Sequence, residues 1–64
     1  MKAGDLVRLR TYGGEELIRR IVTQRNDVVF VCRDEDYVVA IQEGQAPPMV
    51  GFHVAFVLGV VGGS

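Results

Sequence analysis

Residues 5–24, DLVRLRTYGGEELIRRIVTQ, decide the fold. Val7, Leu9 and Thr11 alternate with Arg8 and Arg10, the period of two that a strand shows when one face is wet, so Asp5 to Tyr12 reads as a strand introduced by Gly4. Glu15 to Gln24, rich in Ile, Val and Thr, reads as a second strand. The intervening Gly13-Gly14 is a hairpin signal, because glycine takes positive φ at both turn positions. The second strand breaks the alternation. Leu17, Ile21 and Thr23 lie on one side and Ile18 and Val22 on the other, so the strand is either buried on both faces or bent by a bulge near Arg19 and Arg20. A strongly coiled strand shared between two sheets satisfies both patterns.

Working outward, Arg25-Asn26-Asp27 is a turn, since Asn and Asp tolerate left-handed backbone. Val28 to Cys32, VVFVC, is apolar on both faces and reads as a strand that needs cover on each side. The period then changes. Asp34 is placed as an N-cap, Glu35 and Asp36 put negative charge where the helix dipole favours it, and Gly44 stands at a left-handed C-cap. Tyr37, Ala40 and Ile41 fall at helical spacing, so a short helix is expected over Glu35 to Glu43, with a strand over Tyr37 to Ala40 as the alternative. Ala46-Pro47-Pro48 is an extended connection. Met49 to His53 reads as a fourth strand, Val54 to Phe56 as a tight or 3₁₀ turn, and Val57 to Val61 as a closing fifth strand.

The chain has 64 residues, 48% hydrophobic and 23% charged, with 7 basic against 8 acidic side chains and a net charge of -1. A chain of this size buries only about 60% of the surface that its unfolded form exposes, which excludes a two-domain enzyme and leaves little room for a deep active site. One Cys and one His supply neither an intramolecular disulfide nor a structural zinc site. The near-neutral balance removes a global electrostatic case for nucleic acid but leaves a local patch open. Without an apolar run after Met1 to Asp5, or one long enough to span a bilayer, the expected location is the cytoplasm and no membrane partner is expected. A single domain over residues 1–61 with a tail at 62–64 is the expected organisation.

Short strands punctuated by glycine turns, with one helical excursion, point to a small bent β-barrel. The strand order, the Gly4-Asp5-Leu6-Val7 opening and the short turn before the last strand resemble an SH3-like barrel over most of the chain. The expected fold is thus mainly β: a five-stranded SH3-like barrel with one short helix inserted between strands three and four. Val31 to Tyr37 and Glu43 to Phe52 are similar to a segment met in short bacterial proteins of uncharacterised function, where an acidic helix start and a Gly-x-x-Pro turn lead into Val-Gly-Phe. That resemblance supports the helix and implies no activity. Unlike SH3 domains that bind proline-rich peptides, the chain has no Trp, and no clustered aromatic groove of the kind such ligands dock on is expected.

Three constellations are candidates for function. Cys32 and His53 form a nucleophile pair only if the fold brings them within hydrogen-bond reach; their sequence contexts favour packing for Cys32 and a rim position for His53. Asp34, Glu35 and Asp36 lack calcium-loop spacing and read as a solvated helix start. With no nucleophile, base and oxyanion site to assemble, neither catalysis nor a cofactor or metal is expected. Arg8, Arg10, Arg19 and Arg20 lie on the first hairpin and could form a cationic stripe for nucleic acid or another polyanion, unless Asp5, Glu15 and Glu16 take it up in ion pairs. The fuller signal is apolar. Val54 to Val61 carries no charge, and a small barrel cannot bury it all alongside Val28 to Cys32. The expected role is therefore binding to a protein partner or self-association through Met49, Phe52, Phe56, Val57 and Val60.

Overall fold

The computed structural model describes residues 1–62. They form strands β1 (Leu6–Arg10), β2 (Glu16–Arg25) and β3 (Val28–Cys32), helix α1 (Asp34–Glu43), strand β4 (Val50–His53), a 3₁₀ turn (Val54–Phe56) and strand β5 (Val57–Gly62). All five strands belong to one antiparallel sheet in the order β4-β3-β2-β1-β5. Among the described residues the sheet is not closed into a complete barrel, because β4 pairs only with β3 and β5 only with β1. β5 runs one residue past the expected Val61, into Gly62; Gly63 and Ser64, the rest of the expected tail, lie outside the described residues.

The long strand β2 joins the two halves. Its first half, Glu16–Arg20, pairs with β1, and its second half, Arg20–Arg25, pairs with β3. The register slips between Ile21 and Thr23, leaving Val22 as the extra residue of a bulge. The bulge therefore sits just beyond the expected Arg19-Arg20 position. It re-aims the second half of the strand and coils the sheet, so that Val7 and Leu9 of β1, Ile21 of β2 and Val29 and Val31 of β3 converge in a single buried core. Phe52 and Val57 pack against that core from the two outer strands.

The turns are mostly the expected ones, with one difference of geometry. Asn26 takes φ 52° and Gly44 takes φ 68°, the left-handed conformation, with the Gly44 N–H returning to the end of α1. At the first hairpin only Gly14 has positive φ (85°), and its N–H donates to the Thr11 carbonyl at 3.0 Å. The turn is thus centred on Tyr12 and Gly13 rather than on the glycine pair, with Gly14 completing it as the left-handed residue.

Helix α1 begins at Asp34, and Asp34 is not its cap. The N-cap is Arg33, without a side-chain cap bond, while the Asp34 carboxylate is taken by Arg20 of β2. An ion pair to a partly buried guanidinium, made through two N–H donors, takes the carboxylate in place of the single bond that it would accept from a backbone N–H as a cap. Of the residues at helical spacing, Ala40 is buried and Tyr37 half-buried, but Ile41 is 63% exposed. Val38 and Val39 are also exposed. The helix therefore leans on the sheet by a narrow face and leaves most of its apolar side chains uncovered.

Ile21 closes the core at the bend, so Ile21→Ala removes packing from both halves at once. It is expected to cost about 2–4 kcal/mol, most of the stability of a domain this small. Urea unfolding followed by circular dichroism measures the loss, and a cost below about 1 kcal/mol contradicts the central role given to the bend.

Candidate functional site

The register separates the four arginines of the first hairpin. Arg20 stands opposite Leu6 and Arg8 opposite Ile18, which places Arg8, Arg10 and Arg20 on one face. Arg19 stands opposite the buried Val7, on the core side of the sheet. The expected stripe is largely consumed. Arg8 Nε and Arg10 Nη2 both approach Glu16, at 3.4 and 3.1 Å. Arg20 donates to the Asp34 carboxylate from Nε at 2.9 Å and to the Gly4 carbonyl from Nη1 at 2.8 Å, and its guanidinium lies 6.0 Å from the centre of the Tyr37 ring. It ties the N-terminal turn, β2 and α1 together. Asp5, expected among the stripe's partners, is buried and accepts a bond from the Lys2 backbone N–H instead.

Arg19 differs from the others. Its Nη1 donates to the Ile18 carbonyl at 2.9 Å, and among the described residues no carboxylate lies within 4.0 Å of it. It borders an open cavity of about 360 Å³ whose walls include Leu17, Val31, Met49, Val50 and Phe52. Arg33 and Asp36 also line it, paired to each other at 3.1 Å. Cys32 also reaches this cavity, but its thiol is a poor nucleophile. Burial pushes it upward from the ordinary value of 9.0, and the negative charges of Asp36 and Asp34 add to the effect beyond the relief from Arg20 and Arg19.

A second cavity of about 360 Å³ is bordered by Tyr12, Phe52, His53 and Phe56. Tyr12, 95% exposed, meets Phe56 edge-on with ring centres 5.0 Å apart. Three aromatic rings thus gather at one groove, contrary to the expectation of none, because Tyr12 is far along the chain from Phe52 and Phe56 and the 3₁₀ turn brings Phe56 back to the hairpin. His53 borders this groove, whereas Cys32 borders the other. The imidazole Nδ1 accepts the Ala55 backbone N–H at 3.0 Å and caps the 3₁₀ turn. The acidic residues at the start of α1 are likewise engaged, Asp34 with Arg20 and Glu35 and Asp36 with Arg33.

The residues expected to bind a partner fall into two groups. Phe52, Phe56 and Val57 are half-buried, and Phe52 and Val57 pack on the core. Met49 and Val60 are exposed on the two outer edges of the sheet, with Val50, Leu58 and Val61 beside them. No helix of the described residues is long and apolar enough to cross a membrane. No protein-family model matches the chain, and comparisons with curated proteins and with solved structures find no match either.

Two measurements test this reading of the polar groups. Arg20→Gln removes the fork that ties three segments together. It is expected to cost about 1–2 kcal/mol, discounted because Asp34 is half exposed, and a double-mutant cycle with Asp34→Asn should show coupling between the two side chains. Cys32 should alkylate far more slowly in the native protein than in urea at about pH 8. Because the folded-state thiol is raised, its contribution to stability is complete at lower pH and is lost as the pH climbs past 9.0 toward the folded value. Equal alkylation rates in the native and unfolded protein would contradict the burial of the thiol.

Proposed function

We propose that the chain is a small non-enzymatic protein-binding module that self-associates through the free edge of β5, with Val60 at the centre of the contact. The carrying observation is the character of that edge. β5 pairs only with β1, it holds neither charge nor proline, and Val60 is 53% exposed between the exposed Leu58 and Val61. Unpaired edges of soluble sheets are ordinarily blunted by charge, proline, bulges or a covering segment; β5 slips its register against β1 at Leu58 and at Val61, and these two bulges leave Val60 exposed rather than covered. A second copy laid antiparallel about a two-fold axis would pair with the free backbone groups around Val60, between the two slips, and cover these side chains. The strand order, the bend in β2 and the 3₁₀ turn before β5 support reading the sheet as an SH3-like, partly open barrel.

A polyanion-binding role for Arg8, Arg10, Arg19 and Arg20 draws less support. Glu16 neutralises part of the exposed pair, Arg20 is spent on Asp34, and Arg19 points to the other face.

Light scattering with size exclusion tests the proposal. The native protein should show a concentration-dependent dimer, and Val60→Lys should shift it to monomer by about tenfold or more in dissociation constant without lowering the unfolding midpoint. Val57→Lys is the contrasting variant, because Val57 packs on the core and its replacement should destabilise the monomer itself. A strict monomer from micromolar to millimolar concentration overturns self-association.

A further inference from the structure

The core-side cavity beside β4 has the chemistry of a ligand site. We infer that it receives the C-terminal end of a partner polypeptide, with the last apolar side chain in the cavity and the terminal carboxylate on Arg19. The inference rests on reading the chain as a protein-binding module and names the chemistry of one partner, at the opposite edge of the sheet from β5.

Three observations combine here. The walls contributed by Leu17, Val31, Val50, Met49 and Phe52 are apolar, and Met49 and Val50 are 51% and 62% exposed, so the surface lacks cover. Two guanidiniums border the cavity against one carboxylate. Arg33 is matched by Asp36, which leaves Arg19 without an acidic partner among the described residues. Its remaining N–H donors suit a carboxylate, which a guanidinium binds in a planar fork. Finally, residues 46–49 lead into β4, with Pro48 and Met49 lining the cavity, and among the described residues the N–H groups of Ala46 and Met49 and the carbonyls of this segment make no backbone hydrogen bonds. The Met49 N–H and the carbonyls beside it are available to an extended peptide, whereas a hydrocarbon chain could not use them. A volume of about 360 Å³ takes one large apolar side chain and part of the next residue, at the small end of ligand cavities. A peptide terminus is therefore favoured over a free fatty acid, although both carry an apolar group and a carboxylate.

The test is a ¹H–¹⁵N chemical-shift titration of the full chain with an acetylated hexapeptide ending in Val-Leu with a free carboxylate. The same peptide amidated at its C-terminus and octanoate serve as comparisons. Saturable shifts should centre on Leu17, Arg19, Val31 and Val50, and amidation should weaken binding by about tenfold or more. Arg19→Gln should produce the same loss, because its guanidinium bonds only a neighbouring carbonyl and its removal leaves the core intact. Arg19→Lys should restore part of the affinity, and for both variants the dispersion of the spectrum reports that the fold survives. Equal binding of the free and amidated peptides, no saturable shifts at these residues, or octanoate binding as tightly as the peptide overturns the inference. Val60→Lys separates the two readings: it should leave peptide binding unchanged, and Arg19→Gln should leave the dimer unchanged. An intact dimer that ignores the peptide removes this inference alone.

Discussion

The bend in β2 is the constraint on which the rest of the structure depends. A five-stranded antiparallel sheet with no bend would present its apolar face as a plane, and the one helix is too loosely seated to cover it. By slipping its register at Val22, β2 pairs with β1 through its first half and with β3 through its second. The coiled sheet then covers itself: Val7 and Leu9 approach Val29 and Val31 across Ile21. The bulge does by backbone geometry what a second sheet or a larger helical layer does in bigger domains.

Self-covering by an open sheet is incomplete, and the residue left over is informative. Packing is concentrated in five small or medium side chains, and the outer strands contribute only Phe52 and Val57 to it. Val50 and Val60, on the same outer strands, stay in water. A short chain has a high ratio of surface to volume, so some apolar exposure is expected at this length. What sets these residues apart is their position at unpaired edges, where exposed side chains and unpaired backbone groups coincide. Single exposed apolar residues on α1, such as Val38 and Val39, lack that second feature because the helix satisfies its own backbone.

How much of this was legible in the sequence follows from the range of the interactions involved. Asn26, Gly44 and the limits of β3 are set by local backbone preference, and all were readable. The bend in β2 was readable as a conflict in the hydrophobic pattern, though its location shifted from Arg19-Arg20 to Val22. Asp34 was misplaced as a cap because its partner, Arg20, lies 14 residues away in sequence. Ile41 has the right spacing for a buried face, yet the sheet covers only a narrow strip of the helix, where Ala40 is buried and Ile41 is not. The aromatic cluster of Tyr12, Phe52 and Phe56 depends wholly on the tertiary return of the chain at the 3₁₀ turn.

The adjacent residues Arg19 and Arg20 show why composition could not settle the candidate site. Alternation in a strand sends neighbours to opposite faces, so a one-residue difference in register exchanges their environments completely. In the register adopted, Arg20 meets a carboxylate, a carbonyl and a ring, and its donors are consumed within the fold. Arg19 meets one carbonyl and an apolar hollow. A cation whose donors are satisfied internally stabilises the chain but has little left for a ligand. A cation beside an apolar cavity, matched by no acid of its own, retains the donors and the charge that recognition requires. The distinction between the two arginines is thus one of partner accounting, and it favours the face that the cationic-stripe reading had left out.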